Sequence, residues 1–357
     1  MLDQLQVNQL DLYEIKDNDT ITTVQNVHVT AEHLYDTTYS MKNIKKLTVS
    51  RFERQIDELN FISFDQLNIK QDSIYIDTFR ILDQYTKEDY IHHIDFEKDH
   101  IDFMVNGIQL KDVDFTASRK KLDRISIDEI TIDTSRLKVY RDKTIKDDQR
   151  IKPTYGQMLQ NLGFELDINE LNINDSKLFY SSKRENYKLG EFMFDRLRIK
   201  VENINNIPSK DQNIMVKGHF GINPNSDVRV DISYNPYAYI ETFQLSFLAQ
   251  DIETSYLNSM FLPAANFKLT GVVQEIKGQM IAQGKAKGNF SFKSNELDLN
   301  LYKENEKRKF FSFVVNTFLS NPIDKNSKYE GVEKDPTKSM WNFCWKFIIQ
   351  GLKKSVL

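Results

Sequence analysis

Cysteine occurs once, at Cys344, which excludes an internal disulfide and a cysteine-based zinc site; a reducing compartment is compatible with that count but not required by it. Long apolar runs are missing too. No stretch of about 20 apolar residues is present to span a bilayer, and Met1 to Tyr13 lacks the basic start and apolar run of a secretory signal. Neither sign of charge dominates: 48 basic and 52 acidic residues are spread evenly to a net −4, leaving no basic stripe to track phosphates, so nucleic acid is not an expected partner. No Gly-rich phosphate loop, nucleophile elbow or His-Glu-x-x-His helix occurs.

Histidine is sparse, and the adjacent His92 and His93 would point to opposite faces of a strand, away from a shared metal. The acidic runs Asp95 to Asp102 and Asp112 to Asp114 lack the Gly-centred spacing of a calcium loop and read as wet strand faces. Every carboxylate serves equally well as a surface group. No catalytic residue, metal or cofactor is assigned, and the chain is not expected to be an enzyme.

What is present is a repeat. Ile125, Ile127, Glu129, Ile130, Ile132, Ser135, Leu137 and Val139 match Ile62, Phe64, Gln66, Leu67, Ile69, Asp72, Ile74 and Ile76 without a gap, at an offset of 63. The pattern returns 41 residues later at Leu166, Ile168, Glu170, Leu171, Ile173, Ser176 and Leu178, and in part at Leu5, Val7 and Leu12. Within each arm the apolar residues sit two apart, which places them on one face of a strand. The unit reads as a strand, a kink and a second strand, and such units must stack on one another to bury that face. The first copy begins part-way through, which suggests an incomplete N-terminus.

The expected fold is mainly β: an elongated, curved antiparallel sheet forming an open apolar groove, with short helices and a C-terminal amphipathic helical cap. Residues 1–150 form an N-terminal β-repeat section, with strands expected at Leu5 to Ile15, Ile21 to Thr30, Leu67 to Ile76 and Ile91 to Phe96 among others. The charged run Asp142 to Lys152 and a short helix over Thr154 to Leu162, closed by Gly163, lead into a second groove section, 151–305. Residues 306–357 are the helical cap. Some 15 to 18 stacked strands would extend roughly 70 to 85 Å.

From Ile276 to Phe292, even positions carry Ile276, Gly278, Met280, Ala282, Gly284, Ala286, Gly288, Phe290 and Phe292, and most odd positions are polar. The segment is either a hairpin around Gly284 or one curved strand, and small residues suit a wall that another surface approaches. Ile276, Met280, Ala282, Gly284, Ala286, Phe290 and Phe292 are therefore the candidate lining of a lipid groove. Lys307 to Leu319 reads as an amphipathic helix. Thr337 to Lys354 reads as a second, its polar residues confined to a narrow stripe; Trp341, Trp345, Ile348 and Leu352 are its candidates for contact with a membrane or with the sheet end it caps.

The run Lys334-Asp335-Pro336-Thr337-Lys338-Ser339-Met340-Trp341-Asn342-Phe343-Cys344-Trp345-Lys346, ending Gly351-Leu352-Lys353-Lys354, resembles the terminal segment of bacterial AsmA-like envelope proteins, which are related to TamB. Phe310 to Leu319, the segment Leu297-Asp298-Leu299, and repeats such as Ile127-Asp128-Glu129-Ile130-x-Ile132-x-x-Ser135-x-Leu137 are similar to their counterparts there. The resemblance covers most of the chain, as the C-terminal portion of such a protein, and is most specific in the last sixty residues. It implies a periplasmic β-trough, anchored in the inner membrane by an N-terminal helix, that moves phospholipid between membranes in outer-membrane biogenesis. This chain lacks such a helix, and the family supplies no catalytic residues.

The expected partners are phospholipid, the inner or outer membrane and an envelope protein. A groove gains about 0.8 kcal/mol per buried acyl methylene without any specific polar contact. The alternative is a structural or assembly scaffold of the envelope whose apolar face is filled by its own side chains. A β-helical enzyme acting on polysaccharide would need a carboxylate cluster that the sequence does not reveal.

Overall fold

The computed structural model describes residues 3–33, 38–118, 121–184, 189–210, 212–259, 262, 267–301 and 323–356. Alternating β-branched and aromatic residues put most of them in strands. In chain order these are β1 (Gln4–Val7), β2 (Leu12–Lys16), β3 (Asp19–Gln25), β4 (His28–Glu32), β5 (Thr38–Ser40), β6 (Ile44–Gln55), β7 (Asn60–Lys70) and β8 (Ser73–Asp83). A four-residue helix, α1 (Lys87–Tyr90), precedes β9 (Asp99–Lys111), β10 (Asp114–Ser118) and β11 (Lys121–Asp142). After α2 (Tyr155–Gln160) come β12 (Glu165–Lys183), β13 (Leu189–Asn205), β14 (Ile214–Gly221), β15 (Asp227–Asn235), β16 (Thr242–Glu253), β17 (Phe267–Gln283), β18 (Lys285–Leu301) and β19 (Ile323–Glu333), and then α3 (Met340–Val356).

The 19 strands of the described residues belong to one curved, unclosed sheet. Its pairing order is β2-β3-β6-β7-β8-β9-β11-β12-β13-β14-β15-β16-β17-β18-β19. β4 pairs with the first half of β6 and carries β1, and β10 joins β5 to the start of β11. β11 and β12, on either side of residue 150, pair directly within this sheet. The final section contributes β19 as well as a helix, and the expected helix at Lys307 to Leu319 lies outside the described residues.

One junction departs from the antiparallel expectation: β11 and β12 are parallel. Their register is the 41-residue repeat itself, pairing Ile125 with Leu166, Ile132 with Ile173 and Leu137 with Leu178. At the kink the Ser135 hydroxyl donates to Ser176 Oγ at 2.7 Å, and the Ser135 amide reaches the same oxygen at 3.1 Å. The two repeats thus stack like with like.

The kink has a backbone cause. Gln66, Gly107, Asp175 and Arg196 hold φ values of 56°, 67°, 22° and 50° on β7, β9, β12 and β13, a left-handed conformation that costs a non-glycine residue about 1–2 kcal/mol. At Gly107 a Cβ would run into the Asp133 side chain. Each such residue interrupts the alternation, so that apolar residues three apart, such as Phe64 and Leu67, share a face.

Several local expectations are corrected. Leu67 to Ile76 is a hairpin between β7 and β8, turned by Gln71 at φ 57°, whereas the matching 125–139 segment stays in one strand. Leu5 to Ile15 and Ile21 to Thr30 each divide into two strands, the second broken at Asn26, φ 54°. Ile91 to Phe96 is not a strand: Ile91–His93 is a 3-10 turn, and His93 stacks on Tyr85 at 3.6 Å. α2 begins with a capping box between Thr154 and Gln157 and ends at Asn161, before Gly163.

Candidate functional site

Directly paired residues in a sheet share a face, so the pairings trace lanes across the molecule. One lane runs Leu47, Ile69, Ile74, Leu110, Ile130, Leu171, Val201, Val216, Ile232, Leu245 and Met280. A second, one step along each strand, runs Val49, Leu67, Ile76, Ile108, Ile132, Ile173, Ile199, Gly218, Val230, Phe247, Gly278 and Phe290. Neither lane contains a polar side chain. From β6 to β17, at about 4.8 Å per strand, they extend on the order of 50 Å.

The opposite face is charged. Lys111 pairs with Glu129 at 2.7 Å, Lys200 with Glu170 at 2.8 Å and with Glu202 at 3.1 Å. Hydrogen bonds from Lys111 and Lys200 hold the Glu129 and Glu170 carboxyls below the ordinary range. Water solvates this face, and the apolar lanes form the inner one.

The inner face is filled at both ends and open in the middle. At the β15–β19 end, Met340, Phe343, Cys344 and Phe347 of α3 join Phe243, Met280, Ala282, Ala286, Phe290 and Val332 in one buried cluster. Close approach depends on glycine: a Cβ at Gly288 would lie 2.9 Å from the Phe347 ring, and one at Gly351 would run into Phe290. Burial pushes the Cys344 thiol up to about 12. A second buried cluster, Met41, Ile69, Val113 and Ile127, takes in Leu47, Leu67, Ile74, Leu110 and Ile130 of the lanes at the other end. Between the two clusters Ile76, Ile108, Ile132, Ile173, Ile199 and Val201 are only half-buried.

The connection from β11 to β12 lies on this same face. Lys146 accepts from the Glu97 amide at 2.7 Å, Asp147 pairs with Lys338, and the Lys152 amide donates to the Pro336 carbonyl at 3.0 Å. The Gly156 amide then donates to the Tyr234 hydroxyl at 2.7 Å, and Asn206 returns the chain to β12 through the carbonyls of Leu159 and Phe164. Residues 143–164 form a strap over the inner face, from the foot of β11 to the start of α3 and back.

The sequence-based lining is relocated by this geometry. Ile276, Met280, Ala282, Ala286, Phe290 and Phe292 do face inward, but all belong to or pack on the cluster that receives α3. Gly284 is the turn of the β17–β18 hairpin, at φ 71°, which decides the hairpin alternative. On α3, Ile348 packs against the cluster, whereas Trp341 and Trp345 are 56% and 53% exposed and face away. The α3 backbone continues through Leu352, whose side chain lies outside the described ones. The open lining is built instead from the repeat residues themselves, which sequence reasoning used for the fold and overlooked for the site.

The acidic run is not wholly a wet face: Asp99 holds Arg141 through two hydrogen bonds of 2.5 Å, and Glu97 meets it at 3.3 Å, on the inner side. Among the described residues no group of three or more His, Cys, Asp or Glu is gathered for a metal, and no helix is long and apolar enough to cross a membrane. Comparison with protein-family models, with curated proteins and with solved structures finds no match to this chain.

Proposed function

We propose that this chain is a β-groove protein of the AsmA-like, TamB-related kind, which holds or conducts phospholipid acyl chains between envelope membranes from the periplasm. The supporting observation is the pair of uninterrupted apolar lanes, the second of them half-buried from Ile76 to Ile199 between the two filled clusters. An acyl chain laid there gains about 0.8 kcal/mol per methylene removed from water. The near-uniform aliphatic lining offers similar affinity at each step, so a bound chain slides without crossing a polar barrier. Trp341 and Trp345, outward on α3, suit a membrane interface.

A specific observation favours a second reading, an envelope scaffold: α3 already fills the lanes at the β15–β19 end. On that reading the strap and helix together complete a self-satisfied core. Native mass spectrometry of the gently extracted protein separates the two. Co-purifying phospholipid, lost in folded Ile173→Asp and Ile199→Asp variants, is the outcome expected of a groove. Wild-type protein without lipid, or variants that load as wild type, would count for the scaffold.

A further inference from the structure

Among the described residues, the foot of the inner face carries two cations without an ion-pair partner. Alternation places Arg141 and Lys143 on this face after Leu137 and Val139, and Ser182 and Arg184 after Leu178 and Tyr180. The parallel register pairs Arg141 with Ser182, and the Lys143 amide donates to the Lys183 carbonyl at 2.9 Å, which brings Lys143 beside Arg184. Most charges nearby are matched: Arg141 with Asp99 and Glu97, Lys338 with Asp147, Lys183 with Asp142 at 3.2 Å. Lys143 and Arg184 are left over, for among the described residues neither side chain has an ion pair or hydrogen bond.

Two further donors on this spot lack acceptors. Arg184 Nε is buried with no partner, and so is the hydroxyl of Ser182, a residue with 0% exposure. Burial lowers the Lys143 pKa; Glu97 opposes this, and the neighbouring Arg184, Arg141 and Lys338 add to it. Unpaired buried donors are unfavourable, and a single oxyanion would satisfy all of them. A guanidinium fork, an ammonium and a hydroxyl on neighbouring positions of one face suit a phosphate group, whose charge of one or two balances the excess.

We infer that Lys143, Ser182 and Arg184 bind the phosphate of an amphiphile whose acyl chains rise along Tyr180 and Leu178 onto the apolar lanes. This rests on the groove reading and adds to it a headgroup site and an orientation: the lipid is held head-down at the foot of β11 and β12, by its phosphate. Next to the site, Arg141 stays committed to Asp99 and Glu97 and acts as its fixed wall.

The test compares three probes on the delipidated full-length chain: dimyristoylphosphatidic acid, dimyristoylglycerol with the same chains and no phosphate, and inorganic phosphate. Wild type is expected to bind phosphatidic acid about tenfold or more tightly than the diacylglycerol, a factor in keeping with one charge-assisted hydrogen bond. Lys143→Gln with Arg184→Gln should bring the two lipids level by weakening only the first. Ser182→Ala and Lys143→Gln alone provide milder variants, each lowering phosphatidic acid binding severalfold, should the double variant not fold. Equal affinity for both lipids in wild type, or an undiminished preference in folded variants, overturns the phosphate site while leaving the groove. Binding of inorganic phosphate with neither lipid overturns the headgroup assignment and the groove together, as does binding of none of the three.

Discussion

Single residues decide where this sheet bends and where it is filled. Ser176 is fully buried, accepts from the Ser135 amide and hydroxyl, and donates to the Asn174 carbonyl at 2.8 Å. Ser176→Ala removes only the hydroxyl and strands an amide and a carbonyl at the kink. Equilibrium urea unfolding is expected to show a loss of about 1–3 kcal/mol, whereas Ser135→Ala, which leaves the amide bond to Ser176 in place, should cost less. The kink itself was legible in the sequence as a break in alternation, Phe64 to Leu67 and Ile132 to Ser135. Which copies fold back and which run straight was not: Gln71-Asp72-Ser73 and Thr134-Ser135-Arg136 are both short polar interruptions. The left-handed conformation of Gln71 makes one of them a turn.

Elements carry the next level of specification. The offset of 41 was readable as repetition, and its meaning as a parallel register was not, because strand direction depends on the path of residues 143–164 and these carry no periodic signal. The α3 helix shows the opposite limit. Its amphipathic pattern was plain, yet the small residues across from it read equally as a wall for lipid, since a helix and an acyl chain make the same demand for space. Phe347→Ala removes a side chain with no exposed surface and is expected to cost about 3–5 kcal/mol of unfolding free energy. Cys344 reports the same event. Its thiol, pushed up to about 12, should resist alkylation at pH 8 in the wild type, because only the thiolate reacts. Labelling should quicken at least several-fold in Phe347→Ala; an unchanged rate would mean that α3 stays docked without its central ring.

At the scale of the whole molecule the two faces answer to different forces. The inner lanes are aliphatic and indifferent to pH, and the outer face is held partly by carboxylates whose pKa values are lowered by lysine partners: Glu129 by Lys111, Glu170 by Lys200, and, at the strap, Asp147 by Lys338. A lowered carboxylate stabilises the fold fully above its ordinary pKa, 4.5 for Glu and 3.8 for Asp, and that contribution is lost as pH falls through the shifted value. The urea midpoint is thus expected to hold between pH 7 and about 5 and to decline below 4.5. Added salt should shrink the decline, because these pairs are solvent-exposed and screened. A midpoint that falls already between pH 7 and 6 would point to groups other than these.

On the proposed groove reading, the strap sets one last condition on how a guest enters and leaves. Pinned at Lys338, Pro336 and Tyr234 on one bank and at Glu97 and Asn206 on the other, it spans the trough like a footbridge over a ditch. A long, thin guest lying beneath can be drawn out lengthwise, but it cannot be lifted off broadside unless the bridge is first unfastened.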